Sequence, residues 1–390
     1  MIFRSQNPLS PVVDVTIGNV YIDYLRIVQI EMTLSENNHD LVKITFAGLN
    51  TEAVADYINA PVTISWHQDG VPEGQEFRGY VVWLEPQYTN SQGLVNQSPF
   101  QLAVVHCLGA SFDMRPKVVR FWEEPTLLDI ITAIGLKYQF SWSIPNDDFR
   151  FPRLTQTEES DWEFLLRVCD YLGYSVTIHG THIHVFDRYK SLGRQISYHR
   201  LDVPLSNQSS GFRVTPGQIL GMNMTAGNTT PYENTNTEFV NAMDNNGNII
   251  GTLPFERHSG YGETLNSGIQ DQLAMNAVSY ELAQRMVEGR ARKKFPVRAV
   301  LQITGLAGVK PGGVVNVQKF NNRFDGLWYV ESVCHTVTLD KYFTEVTVLK
   351  DATNDIASSI PAISQYGTAP ESVLVDTKWK ASTQLEEIYG

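Results

Sequence analysis

The chain has 390 residues, enough for two to four domains that each close a core. Its formal charge of -12 and pI near 5.2 argue against a nucleic-acid grip, which needs clustered Lys and Arg to displace counterions. The three scattered cysteines, Cys107, Cys169 and Cys334, offer neither a disulfide framework nor a CxxC metal pair. No apolar run approaches the ~18 residues of a membrane span, so the expectation is a soluble protein without membrane insertion. Met1 to Pro8 lacks the basic start and apolar core of a signal peptide, which points to synthesis and use inside a cell, or to exit by another route.

After an N-terminal extension, residues 1–11, residues 12–110 read as a β domain. Apolar alternation runs over Val13 to Ile17, Leu25 to Leu34, and Val42, Ile44 and Phe46. Thr51 to Asn59 can form a short helix carrying Val54, Ala55 and Ile58 on one side. Strands resume at Pro61 to Trp66, at Phe77 to Trp83 through Gly79, and at Phe100 to Val105. The pattern is a small barrel or sandwich.

Residues 111–211 and 227–296 have α+β texture. Pro125 suits a first helical turn, and Leu127, Leu128, Ile131 and Ile134 give a buried face up to Gly135, followed by a short strand near Phe140 to Ile144. Ser160 and Glu163 form a capping box ahead of Leu165, Val168, Cys169 and Leu172, and Gly173 can supply the left-handed residue that ends the helix. From Tyr174 the period becomes two. With a turn at Gly180-Thr181, Ile178 faces Ile183 and Val176 faces Val185, while His179 faces His182 and Thr177 faces His184. Trp122, Trp142 and Trp162 read as core, and a further strand is expected near Gln195 to Tyr198. Residues 227–268 are polar, with one hairpin, Phe239 to Met243 and Ile249 to Leu253, in an exposed, partner-facing excursion. A helix is expected from Ile269 to Arg292. Its closing Arg290, Arg292, Lys293 and Lys294 suit the negative end of the helix dipole.

The β pattern of the first domain then returns. Lys43 to Leu49 is echoed by Val300 to Leu306, Pro61 to Ile64 by Pro311 to Val317, Phe77-Arg78-Gly79 by Phe324-Asp325-Gly326, and Phe100 to Val105 by Tyr342 to Val348. Four elements in one order imply a duplicated module, with residues 212–226 and 297–350 as its second copy. Residues 351–390 have a charge balance of -4 and few regular patterns, which predicts an extended arm ordered by a neighbour. Val373, Leu374, Val375, Trp379, Leu385, Ile388 and Tyr389 are its candidate anchors.

The run from Gln156 through Trp162 and Leu165 to Gly173, with Val185-Phe186-Asp187, resembles the late control D family. These are the baseplate hub proteins of contractile-tailed phages and the N-terminal part of VgrG-like spikes of type VI secretion. Pro311-Gly312-Gly313, Phe324 to Val330 and His335 are similar to that family's second barrel. The resemblance implies a mainly β fold in which two tail-tube-like barrel modules are interrupted by an α+β domain. It also implies a homotrimeric ring of pseudo-six-fold symmetry in the virion baseplate, assembled in the host cytoplasm. Its expected partners are the tail tube protein, a separate central spike and other baseplate proteins, with DNA passing through unbound.

Motif chemistry is sparse: there is no HExxH, GxSxG or GxxxxGKS/T. His179, His182 and His184 could hold a zinc ion, but a polar face beside a turn is the preferred reading because no carboxylate is placed as base. Glu158 with Glu159, or Glu386 with Glu387, are neighbours that do not face each other on a regular element. The expectation is a non-enzymatic structural hub without cofactors. A tail-tip hydrolase of cell-wall material, metal- or carboxylate-dependent, is the alternative, and a free carbohydrate-binding β protein the third reading.

Overall fold

The computed structural model describes residues 11–350 apart from 19, 23–25, 48–56, 69–74, 90–99, 189–198, 203–216, 227–237, 245, 256–273, 293–294, 296, 320–324 and 339–340. The N-terminal extension before residue 11, most of the expected helix at 51–59, the strand at 195–198 and the anchors of the C-terminal arm lie outside the described residues.

The first module comprises β1 (Val12–Ile17), β2 (Val20–Tyr21), β3 (Ile27–Ser35), β4 (Leu41–Ala47), β5 (Pro61–His67), β6 (Gln75–Thr89) and β7 (Phe100–Gly109). Period-two burial along β1, β4 and β5 turns Val13, Val15, Ile44, Phe46, Ile64 and Trp66 inward. The strands pair in the order β3-β4-β7-β6-β5-β1-β2. Gly79 sits where β6 crosses the end of β7, and a Cβ there would meet the Leu108 carbonyl oxygen at 2.0 Å, so only glycine fits.

The insert follows as β8 (Lys117–Glu123), α1 (Leu127–Tyr138), β9 (Ser141–Ser143), β10 (Arg153–Ser160), α2 (Asp161–Leu172), β11 (Ser175–His179) and β12 (His182–Phe186). In α2 the Ser160 hydroxyl accepts the Glu163 N–H at 3.1 Å while the Glu163 carboxylate accepts the Ser160 N–H at 2.8 Å, the expected box. Leu165, Val168, Cys169 and Leu172 are buried as their spacing requires, with Trp162 beside them in the core. Gly173 ends the helix at φ 75°, against Gly289. The β11–β12 register is the predicted one at all four expected pairs, from Val176↔Val185 to His179↔His182, and extends to Ser175↔Phe186.

The first insert helix differs from expectation. Thr126 is its N-cap, boxed with Asp129, so Pro125 stands before the cap; the helix passes Gly135 to end at Gln139, φ 59°. The buried face is Leu127, Ile130, Ile131 and Ile134, a strict i, i+3, i+4, i+7 set that leaves Leu128 48% exposed. The β8–β10 ribbon, unexpected from the sequence, exposes Lys117, Val119, Phe121 and Glu123 on one face of β8 and half-buries Val118, Arg120 and Trp122 on the other.

After β13 (His199–Asp202) and β14 (Ile219–Ala226), the hairpin β15 (Glu238–Met243) and β16 (Ile249–Phe255) forms as expected. The long helix expected from Ile269 does not. Ala274–Ala277 is a strand, β17, in parallel pairing with β15, and the helix α3 (Tyr280–Arg292) starts only where the Ser279 hydroxyl accepts the Leu282 N–H at 3.1 Å. Sheet pairing thus overrides helical periodicity over Ala274–Ala277, and residues 269–273 of the expected helix lie outside the described residues.

The second module adds β18 (Val297–Thr304), β19 (Val314–Gln318), β20 (Gly326–Thr338) and β21 (Tyr342–Lys350), and its strands pair in the order β14-β18-β21-β20-β19-β13. This is the first module's order β3-β4-β7-β6-β5-β1 with each strand in the same chain sequence. Strand His199–Asp202, placed in the insert by sequence, thereby pairs into the second module's sheet. The two copies also share bulges. The register skips Val28 between Ile27↔Phe46 and Gln29↔Thr45, and skips Leu220 between Ile219↔Ile303 and Gly221↔Gln302. It skips Val82 between Val81↔Cys107 and Trp83↔His106, and Glu331 between Val330↔Val348 and Ser332↔Thr347. Bulges are built features of a sheet; finding both on equivalent ladders goes beyond what two unrelated β domains would share. The outer strand is the difference: β1 runs antiparallel to β5, whereas β13 runs parallel to β19.

Leu165 is fully buried at the centre of the insert core. Leu165→Ala is expected to cost roughly 2 to 5 kcal/mol, read as a lowered denaturant midpoint; an unchanged midpoint would remove this helix from the core.

Candidate functional site

With no catalytic motif in the chain, the chemistry-bearing side chains converge where the two modules and the insert meet. The modules are joined by β20, whose first part pairs with β19 and whose second part, Ser332 to Thr338, pairs antiparallel with Ser35 to Gln29 of β3. The change of partner falls at the bulged residue Glu331, whose carbonyl accepts the Glu36 N–H at 3.2 Å. Seven cross-strand pairs thus fuse two modules into one sheet, with Ile30, Met32 and Val333 buried along the seam.

The turn after β3, residues 36–40, clasps all three parts together. Glu36, 5% exposed, receives the Arg188 guanidinium from the insert and the Tyr329 hydroxyl from the second module. A carboxylate this buried needs such partners to stay charged. Burial raises the Tyr329 phenol well above its ordinary pKa, so the hydroxyl keeps its proton and donates it. Asn37, in the left-handed region at φ 56°, acts as a one-residue extension of the β11 edge: its N–H donates to the Val176 carbonyl at 2.7 Å and its Oδ1 accepts the Val176 N–H at 2.9 Å. His39 stacks on Trp162 at 5.0 Å and its Nδ1 lies 2.7 Å from the Ser111 hydroxyl. Asp40 pairs with His179 Nδ1 at 2.9 Å while its carbonyl accepts the Gly109 N–H.

A second buried contact seals the modules. The core of the first module includes Ala307, Val337 and Tyr342 from the second. Gln68 donates to the Gly305 carbonyl at 3.0 Å and accepts the Ala307 N–H at 3.2 Å, and Gln75 donates to the Ala307 and Val309 carbonyls. His335 lies edge-on to Trp66, ring centroids 5.7 Å apart, fully buried. Its Nε2 faces the Val309 carbonyl at 3.3 Å, and a carbonyl can only accept, so that nitrogen carries the proton. Nδ1 then accepts from the hydroxyls of Thr344 and Tyr342. Burial holds the ring neutral, its pKa lowered to about 4.

The three histidines of the hairpin do share one face. His182 Nδ1 and Nε2 lie 2.8 and 2.9 Å from the hydroxyls of Ser141 and Ser143, His184 Nδ1 lies 2.6 Å from Ser143, and His179 turns to Asp40. Burial lowers the pKa of His182 and takes that of His184 down to about 4. Among the described residues no group of three or more His, Cys, Asp or Glu is placed to hold a metal ion. The face instead forms the start of an aromatic column, His184 on Phe186 at 4.9 Å, Phe186 on Tyr329 at 6.3 Å and Phe295 on Tyr329 at 5.9 Å, which ties the hairpin to the second module. Glu159, one of the paired carboxylates, is taken by Arg167 at 2.8 Å. Among the described residues no helix is long and apolar enough to cross a membrane.

Sequence reading pointed to Trp162, Leu165, Gly173, Gly79 and Gly326; the first three lie in or against the insert core, and the two glycines lie on β6 and β20. It missed Glu36, Asn37, Asp40 and Arg188. The Glu36-Asn37-Asn38 turn is visible in sequence, but the side-chain partners of these residues lie 139 to 293 residues away and carry no local signal.

No family model matches the chain, and no curated protein matches it. Solved structures do. A tail protein from Neisseria meningitidis MC58 matches with a TM-score of 0.62 at 11% identity, over 88% of this chain and 99% of that one. The tail protein of prophage MuSo2 from Shewanella oneidensis matches with a TM-score of 0.60 at 11% identity, again over 88% and 99%. A component of the Escherichia coli type VI secretion system, itself structurally similar to bacteriophage T4 tail proteins, matches with a TM-score of 0.53 at 11% identity over 87% and 77%. The chain therefore has a mainly β fold, with an α+β portion, that it shares with phage tail proteins.

The neutral histidines set a pH dependence. Unfolded, His335 takes a proton below about 6.5; folded, it resists protonation down to about 4, so its contribution is complete above 6.5 and is lost as the pH falls toward 4. From pH 7 to pH 5 this amounts to roughly 2 kcal/mol, with His184 acting in the same direction. Urea unfolding should show the loss, and His335→Gln should flatten it partially; an identical pH slope in that variant would contradict the assignment.

Proposed function

We propose that this chain is the central hub of a contractile-tail baseplate. Three copies form a ring in which six similar modules face the six-fold tail tube, while the three-fold character of the ring meets a central spike carried by a separate protein. The observation that supports it is the duplication: one strand order, with the same two bulges, built twice in a chain whose fold is that of tail proteins. Two modules per chain convert three copies into six near-equivalent positions, and cyclic closure is the usual way such contacts terminate. The formal charge of -12 suits a channel that DNA passes without adhering.

In this reading the protein acts in the virion baseplate, assembled in the host cytoplasm, with the tube protein, the spike and other baseplate proteins as partners. The reading assigns it no catalytic role, and the engagement of His182, His184 and Glu159 by Ser141, Ser143 and Arg167 supports that assignment. Residues 351–390 form the arm, docking through Val373, Leu374, Val375, Trp379, Leu385, Ile388 and Tyr389 on a neighbour or the spike. Light scattering of the full chain should give a mass of three copies, and removal of residues 356–390 should leave that mass ratio intact because the ring is made by the modules. A monomer or dimer across the accessible concentration range would sink the hub reading.

A further inference from the structure

The chain carries a template for its own assembly. Within one copy, the second part of β20 pairs with β3, the first strand of the other module. Among the described residues the equivalent stretch of β6, Trp83 to Thr89, pairs with β7 on one side only, since its pairing with β5 ends at Tyr80. The equivalent of β3 is β14, which among the described residues pairs with β18 alone and ends the sheet. Each chain therefore has one filled seam and, on opposite edges, the two halves of an unfilled one.

We infer that the unfilled halves meet between copies: β6 of one chain pairs antiparallel with β14 of the next, continuing the sheet around the ring. The shared bulges fix the register. Aligning Val82 with Glu331 and Val28 with Leu220 transfers the pairs Val337↔Ile30, His335↔Met32, Cys334↔Thr33 and Val333↔Leu34 onto Tyr88↔Met222, Pro86↔Met224, Glu85↔Thr225 and Leu84↔Ala226.

Burial agrees with this seam. In the filled seam Ile30 and Met32 are 0% exposed and Val333 is 1% exposed. Their equivalents Met222, Met224 and Leu84 are each only partly buried, and Trp83, at the head of the open stretch, is 61% exposed. A second copy of this chain is the occupant because each open edge lacks the strand that the other one offers, in the geometry the filled seam already demonstrates. Pro86 lacks an N–H and so withholds one donor from the stretch, as prolines on sheet edges do; this guards the edge against indiscriminate pairing. The contact is heterologous, and such contacts close into rings when the rotation permits. This inference rests on the ring reading for its closure and on the duplication for its register.

The pair Glu85 and Thr225 tests it, because at the filled seam the Thr33 Oγ1 and Cys334 Sγ are 3.6 Å apart. In the full-length chain, Glu85→Cys with Thr225→Cys, under mild oxidation, should give reducible covalent dimers and closed trimers. Either single variant, and the off-register pair Glu85→Cys with Asn223→Cys, should stay predominantly uncrosslinked. Three-copy mass without crosslinking of the matched pair would overturn the seam and leave the ring; efficient crosslinking of the off-register pair would overturn the register. A monomer throughout would overturn both the seam and the ring.

Discussion

Everything in this chain depends on the point where β20 changes partner. Its bulge at Glu331 releases the strand from β19 and delivers it to β3, so a single continuous strand belongs to two modules. A linker would have left the modules free to rotate, whereas a shared strand fixes their relative orientation through backbone hydrogen bonds, which have little tolerance for angular drift. The bulge supplies the extra twist needed at the crossover. The carbonyl of the bulged residue is then taken by Glu36, so the crossover leads directly into the clasp.

The clasp makes the insert part of the same rigid unit. Five successive positions, 36 to 40, include four that reach into the insert or the second module through a buried carboxylate, a backbone pair, a ring stack and a carboxylate–imidazole contact. Removing one partner of such a buried pair costs more than the pair contributes over an apolar substitute, because the remaining charge has nowhere to go. The histidine face serves the same end. The His182 and His184 rings, whose pKa values burial lowers, lead into a column that reaches Tyr329, the residue that also donates to Glu36. A group of imidazoles that invites a metal reading thus works as packing and hydrogen bonding between hairpin and module.

Much of this was legible from sequence wherever the determining signal was local. The capping box at Ser160, the buried i, i+3, i+4, i+7 face of α2 and the period-two hairpin after it led to the right helix and the right register, because each depends on residues within one or two turns of one another. Four strands of the repeat were visible for the same reason. What escaped is non-local. Ala274–Ala277 sits inside a helical pattern but is captured by pairing with β15, and the β8–β10 ribbon turns the apolar Val119 and Phe121 outward, so its apolar residues do not mark a buried face. Leu128 faces outward although apolar, since the face was set by Leu127. The clasp residues gave no sign of their partners, and the bulges became readable only once two registers could be compared.

In the proposed hub, one fold, used twice and fused through a shared strand, would let three chains present six similar modules. Cryo-electron microscopy of the assembled protein addresses this directly. Averaging the ring with six-fold symmetry should preserve strand density for β3, β4, β6 and β7 superposed on β14, β18, β20 and β21, while density for the insert survives only under three-fold averaging. Strand density that disappears on six-fold averaging would contradict the account.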